Sequence, residues 1–337
     1  MPVLGTGIVP SGQIGAELQA LTRRAFIPKL VVQIYQASPT ISALIANAHM
    51  ASGGVSGVTC PVQGTPYTTT SASDYTGNFS QPSVQTGSLN AEFNLKLAVT
   101  PIPFLGMEGA VQINAAVIPI IEARMNDAGN SIVQYLSQQL WGNSTEGLNI
   151  MGFPGAISNV DPTGLAYGGI ARATNTWWQS KVFAAGAQLP TRNLMLQYIA
   201  GAVKYSGGEM PSFGVMGIGT WYQLATDFTS VERYNITPGE SFDQAANGAR
   251  SLFTALMVAG IPFYMDPYAT EGVLYLINMN YLSLYIHEDA AFAFTGFEST
   301  LPNFQIGYIG ALLALLELVL VKPSTCVAVT GLGYTAI

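Results

Sequence analysis

The chain has 337 residues, enough for one large or two ordinary domains. It is 49% hydrophobic and 9% charged, with a mean hydropathy of +0.33, where soluble domains usually carry about 25% charged residues, so its outside lies either in lipid or against other protein. The net charge is −7, and the five lysines and seven arginines are scattered apart from Arg23-Arg24, which excludes the clustered basic patch that tight nucleic-acid binding needs.

The start, MPVLGTGIVPSG, has no basic stretch followed by an apolar one, so no secretory signal is expected. Cys60 and Cys326 are too far apart in sequence to suggest a disulfide framework or a metal knuckle, and a reducing cytosol is the default. Without a signal, the N-x-S/T triplets at Asn78, Asn143 and Asn235 read as chance matches.

From Gly12 to Asn47 helix-like patches such as AELQAL and PTISALIANA are interrupted by Pro28 and Pro39, and read as a segmented arm. Pro61 to Asn90 then contains one charge, Asp74, in thirty residues, longer than the ~15 residues at which structureless loops become rare. Next, Phe93, Leu95, Leu97 and Val99 alternate with Glu92, Asn94, Lys96 and Ala98, the pattern of a half-buried strand. With GVTCPV as its partner, the whole reads as a long hairpin with a polar tip. An isolated hairpin is marginal in water, so this one should lie on something, such as a neighbouring chain.

Ile118, Ile121, Met125, Ala128, Ile132, Leu136 and Leu140 recur at the spacing of a helix, with Pro119 in its first turn and Gly142-Asn143 at its stop. GGIARATNTWWQS follows, Gly168 to Ser180. Two adjacent tryptophans cannot both face one core stripe, so Trp177 and Trp178 are expected to divide between a core and a contact. A second helix starts at Thr191, carries Leu194, Tyr198, Ile199 and Ala202 on one side, and stops at Gly207-Gly208. The strand FGVMGI leads to a third helix capped by Thr220. Then come the strands VAGIPFYMD and VLYLINMNYLSLYIH, and a tail, LLELVLVKPSTCVAVTGL, of two strands around Pro323. Helices and strands mix with the strands mostly late, which indicates an α+β fold. The best apolar run, Ile306 to Val321, is shorter than the ~20 residues of a membrane span and carries Glu317, so it reads as a buried strand or short core helix.

Chemistry has little support. His49 and His287 are far apart in sequence and stand in no HExxH, Ser-His-Asp or Cys-His context, and HED at 287 to 289 reads as the polar end of a strand. GTG and GIGTW lack the other glycines of a dinucleotide fingerprint and the lysine of a P-loop. No catalytic residue, cofactor or metal is expected. A hydrolase using His287 and Glu288 is the enzymatic alternative.

The order of arm, polar-tipped hairpin, long helix and mixed domain resembles the major capsid proteins of tailed bacteriophages, with the Hong Kong 97-type fold. The stretches YGGIARATNTWWQS, VAGIPFYMDPYATEGVLYLIN with Gly260, Pro262, Asp266 and Asn278, and the ending VAVTGL are similar to stretches in phage capsid sequences. The resemblance implies an N-terminal arm over 1–50, an extended loop over 51–104 lying on a neighbour, and a peripheral domain with its spine helix over 105–188. It further implies an axial domain over 189–299 and C-terminal strands over 300–337 that rejoin the peripheral sheet. It implies a protein that is not an enzyme, self-assembling into the hexamers and pentamers of an icosahedral shell around double-stranded DNA held without sequence-specific binding. Such a shell is a virion component assembled in the host bacterial cytoplasm, with a portal and, in some cases, decoration proteins.

The short arm ahead of the loop implies a separate scaffolding protein. Covalent Lys–Asn cross-linking does not carry over, because Lys96 is the sole lysine of the loop region and has no identifiable partner. Candidates for subunit or domain contacts are Arg172, Trp177 and Trp178, with Asp74, Tyr75, Phe79 and Lys96 in the loop. The alternatives are a bacterial nanocompartment shell enclosing cargo enzyme and, more remotely, a membrane-associated protein.

Overall fold

A computed structural model of the chain describes residues 38–53, 56–64, 87–105, 114–142, 149–161, 166–232, 256–299 and 307–335. Its helices are α1 (Pro39–Ala46), α2 (Asn114–Leu140), α3 (Phe153–Ala156), α4 (Arg192–Ser206) and α5 (Ile218–Glu232). The early strands are β1 (His49–Ala51), β2 (Gly57–Gln63), β3 (Ser88–Asn94), β4 (Lys96–Leu105), β5 (Lys181–Ala184) and β6 (Phe213–Met216). The late ones are β7 (Leu256–Val258), β8 (Ile261–Met265), β9 (Leu274–Ile277), β10 (Leu282–His287), β11 (Ala293–Phe294), β12 (Glu298–Ser299), β13 (Gly307–Leu320) and β14 (Val327–Thr330).

The apolar run near the C-terminus is β13, and the first sheet is built around it. One edge of β13 pairs antiparallel with all of β4, from Lys96↔Leu316 to Leu105↔Gly307. The other edge takes β10, β11 and β12, and β1 adds in parallel outside β10. Among the described residues no helix is long and apolar enough to cross a membrane, and the run that suggested a span is a strand of this sheet.

The second sheet has the order β5-β14-β9-β6-β8-β7. Both of its faces are covered, so β6 and β9 are buried at every position and read as unbroken apolar runs. Val215, Tyr275, Ile277 and Ala328 join the core of the first sheet and α2, while Met216, Leu274, Leu276, Val327 and Val329 pack under α4 and α5.

The long helix forms because Met125, Ala128, Ile132, Leu136 and Leu140 share one buried stripe, and it stops at the expected place, with Gly142 N–H on the Gln139 carbonyl. Its 27 residues make a rod of about 40 Å. It starts at Asn114, so Pro119 lies beyond the first turn. In α4, Thr191 Oγ1 accepts from Leu194 N–H at 3.3 Å and Gly207, at φ 82°, closes the C-terminus.

Four expectations are corrected. Thr220 is inside α5 and does not cap it. The N–H groups of Gly219 and Thr220 instead donate to Glu271, at 2.9 and 3.0 Å, because a carboxylate fixed across a turn satisfies the helix N-terminus from outside its own sequence. The single strand expected from Glu92 to Val99 is two strands in two sheets. The chain leaves β2 at Asn94 and joins β13 at Lys96, so the apolar phase shifts: Phe93 and Leu95 are buried, yet Leu97 and Val99 are 55% and 49% exposed, while Ala98 and Ile102 turn inward.

The other two concern domain limits. β10 to β12, expected in the axial domain, pair with β13 of the first sheet. β14, expected to rejoin that sheet, sits between β5 and β9 of the second. Sequence order cannot reveal this, because β13 and β14 are joined by a short turn at Pro323–Thr325 and yet serve different sheets.

Candidate functional site

The hairpin β2–β3 is rooted on the domain by residues 155–180. Gly168 and Gly169 both have positive φ, 62° and 74°, in the short 3-10 turn Tyr167–Gly169. A Cβ at Gly168 would stand 2.9 Å from the Phe93 ring, so only glycine lets β3 lie this close. Tyr167 meets the same ring edge-on at 5.1 Å and stacks at 6.3 Å on Trp178, whose Nε1–H donates to the Tyr167 carbonyl at 2.9 Å.

The Tyr167 hydroxyl completes a ladder. β4 stops pairing at Leu316, and beyond that point the hydroxyl donates to the Leu318 carbonyl at 3.2 Å and accepts from Leu320 N–H at 2.9 Å. One phenol thus covers the edge of β13 where the neighbouring strand has left. Burial pushes its pKa far above the ordinary phenol value, so it remains the neutral donor this arrangement requires.

Arg172 is corrected from a contact residue to an interior strut. It is 0% exposed, and its guanidinium donates to the carbonyls of Ala156 at 2.6 Å, Gly155 at 2.7 Å, Val160 at 3.2 Å and Trp178 at 3.3 Å. It also lies 4.9 Å from the centre of the Tyr167 ring, and its own N–H donates to Asp161 Oδ2 at 2.8 Å. A planar five-donor fork is the one side chain able to gather so many carbonyls from three turns. Its ordinary charge would suit a surface, which is why burial was illegible in the sequence.

The adjacent tryptophans divide. Trp178 is 1% exposed, in the core beside Tyr167. Trp177 is half-buried, edge-on to Trp178 at 5.7 Å, and its indole lies against Gly64 at the end of β2, so closely that a Cβ there would come within 2.0 Å of the ring. Lys96 stands half-buried at the start of β4. Asp74, Tyr75 and Phe79 lie outside the described residues.

Glu317 binds this root to the first sheet. Its Oε1 accepts from Met151 N–H at 3.0 Å, just ahead of α3, while Oε2 is buried without a partner. Burial is the main cause that pushes the carboxyl up to about 7, against smaller opposing effects of Met151 N–H and Lys96. A carboxyl raised in the folded state binds its proton more tightly there. Its contribution to stability is therefore full below the ordinary value of 4.5 and is lost as pH rises to about 7. Glu317→Gln is expected to flatten this decline and to be more stable than the parent at about pH 8 by a few kcal/mol, read from urea midpoints of unassembled subunits. An unchanged pH profile in the variant would show that Glu317 does not titrate in this range.

The two histidines stand on neighbouring strands, two register positions apart, and each has its own partner. His49 on β1 is paired with Tyr285 of β10, ring centres 5.2 Å apart, and Ala51 is paired with His287. His287 is buried, and its Nδ1 accepts from Asp289 N–H at 3.2 Å, which occupies it in a turn at the end of the strand. Among the described residues no group of three or more His, Cys, Asp or Glu side chains could hold a metal ion, and Cys60 and Cys326 are both free thiols.

No protein-family model matches the sequence, and no curated protein sequence matches it. Solved structures do. The capsid of cyanophage A-1(L) superposes with a TM-score of 0.69 at 14% identity, covering 87% of this chain and 92% of that one. The chain has the Hong Kong 97-type fold. The capsid of Myoviridae phage XM1 is similar at a TM-score of 0.53 and 9% identity, covering 86% and 90%. The SrpI encapsulin of Synechococcus elongatus is similar at 0.51 and 10%, covering 88% and 90%. Low identity with high coverage means that the fold persists where side chains have changed almost throughout, so contact residues must be taken from this chain's own geometry.

Proposed function

We propose that this chain is the major capsid protein of a tailed phage, a subunit that assembles with its own copies into hexamers and pentamers of an icosahedral shell around double-stranded DNA. The observation that carries the reading is the likeness to the cyanophage A-1(L) capsid over nearly the full length of both chains. Composition agrees with it. A surface so poor in charge suits a chain covered by its neighbours, and a net charge of −7 suits a wall that DNA does not adhere to. In this reading the work of the protein is symmetric contact and not catalysis. The first sheet with α2 is the peripheral domain, the second sheet with α4 and α5 the axial domain, and Trp177 with Gly64 sets the angle at which the loop leaves. A scaffolding protein and a portal are the expected assembly partners, with decoration proteins on the finished shell. The shell belongs to the virion and forms in the host bacterial cytoplasm.

Electron microscopy of the purified protein tests the class: closed shells, tubes or rings are expected, and a monomer at all concentrations would overturn it. Likeness to an encapsulin supports the second reading, a nanocompartment. Particles that protect double-stranded DNA from nuclease favour the phage shell, and particles holding a cargo enzyme favour the compartment. Deleting residues 65–86, the polar tip of the loop, is expected to leave a folded subunit that forms no stable shells. Shells of ordinary stability from that deletion would remove the tip from the contacts between subunits.

A further inference from the structure

Lysines that are scattered along the sequence are brought by the fold to one place, the turn Pro323–Thr325 that carries the chain from β13 to β14. A circuit of contacts runs beside that turn and closes on itself. The Ser180 hydroxyl donates to the Pro323 carbonyl at 2.8 Å, which sets the next residue, Lys181, beside the turn. Its Nζ lies 4.6 Å from the centre of the Tyr205 ring, in the last turn of α4, which packs on the same turn. The Ser206 hydroxyl then donates to the Glu209 carbonyl at 2.7 Å, and the Glu209 carboxylate accepts from the Tyr281 hydroxyl at 2.9 Å. Lys322 Nζ lies 5.0 Å from the centre of the Tyr281 ring, and Pro323 follows it in the chain.

This rim is open and positive. Lys204, Tyr205 and Met210 are exposed, Lys181, Tyr281, Lys322 and Ser324 are half-buried, and Gly207 and Gly208 leave open space where side chains would stand. Among the described residues no carboxylate pairs with any of the three lysines. Glu209, the acid of the rim, is held by Tyr281, whose pKa that hydrogen bond raises. The rings keep two ammonium groups in place, so little side-chain freedom remains to be lost when an anion arrives. Lysines resting on separate rings along an open surface suit a chain of charges, whereas a small anion needs donors that converge on it. Three such contacts bind weakly, since log K changes by only about 0.9 per phosphate for each decade of salt. A shell repeats the rim in every subunit, and repeated weak contacts add. Local positive charge in a chain of net charge −7 thus lets a wall touch a polyanion at set points without adhering along its length.

We propose that the rim of Lys181, Lys204 and Lys322, beside Tyr205 and Tyr281, is where each subunit touches the phosphate backbone of duplex DNA. The proposal rests on the reading of the chain as a shell subunit and adds the surface that meets the enclosed genome. Fluorescence anisotropy of a labelled duplex of about 20 base pairs, titrated with unassembled subunits at salt concentrations from about 20 mM upward, tests it. Lys181→Gln/Lys322→Gln is expected to weaken binding about tenfold or more at the lowest salt and to lower the salt slope by about 1.8, two phosphate contacts at about 0.9 each. Arg124→Gln/Arg192→Gln, which removes the same charge elsewhere, is expected to leave both unchanged, and Lys181→Arg/Lys322→Arg to preserve them. Reductive methylation of the parent protein needs no variant: the duplex is expected to protect Lys181 and Lys322 and to leave Lys96 as reactive as before. No binding by the parent at the lowest salt, equal losses in the two glutamine variants, or labelling that the duplex does not alter overturns the proposal. Polyglutamate that displaces the duplex at equal charge would assign the rim to an acidic protein and overturn it too. Where shells form alongside any of these results, the shell reading stands; binding through these lysines by a protein that forms no shells supports the rim and removes that reading.

Discussion

Arg172→Met is expected to yield no soluble subunit, and Arg172→Lys to lose about 3 kcal/mol of folding stability. The guanidinium serves the carbonyls of Gly155, Ala156, Val160 and Trp178 without any exposure to water. Each buried polar group left without a partner costs about 1–3 kcal/mol, so losing the whole fork approaches the ~5–15 kcal/mol that holds a domain folded. Lysine keeps the charge but has one nitrogen, which cannot reach carbonyls that the fork spans with three. Denaturant midpoints of unassembled subunits measure the effect. A lysine variant within about 1 kcal/mol of the parent would mean that these bonds are easily replaced by water.

Trp178→Ala and Trp177→Ala are expected to fail at different stages. Removing the fully buried Trp178 costs about 3–5 kcal/mol and leaves the Tyr167 carbonyl without its donor. Removing the half-buried Trp177 should cost the isolated subunit much less and chiefly impair shell formation, because the ring supports the departing hairpin at Gly64. Gly64→Ala drives a methyl group into the same ring and should reproduce the assembly defect, and combining it with Trp177→Ala should add little, since both act through one contact. Thermal unfolding of subunits alongside yield of particles separates the cases. Equal losses of folding stability in both tryptophan variants, with no separate defect in assembly, would make Trp177 a second core residue.

What the sequence made legible was what repeats along the chain. The spacing from Met125 to Leu140 could only be a helix, and the Thr191 cap and Gly207 stop are local chemistry that the structure reproduces. What it hid was nonlocal. Thr220 looks like a cap until Glu271 arrives from fifty residues away. The alternation from Phe93 to Val99 is continuous on paper but crosses a change of partner at Leu95, where the inward face changes. Tyr167, Gly64 and Glu317 were missed as members of the root. Only the interruption of an apolar run by Glu317 gave any signal, because one carboxyl among leucines must either leave the core or find a donor.

The pairing of β4 with β13 also sets how the protein bears load. The strand that continues from the β2–β3 hairpin is joined to the body side by side over its whole ten residues. A pull along the loop therefore acts parallel to the strands and stretches every rung together, whereas a pull across them would open the rungs one at a time. Tyr167 sits at the Leu318 end like a bolt past the last rung. Tension applied along the hairpin meets the molecule in its toughest direction, so under force the softer connections elsewhere should yield before this seam slides.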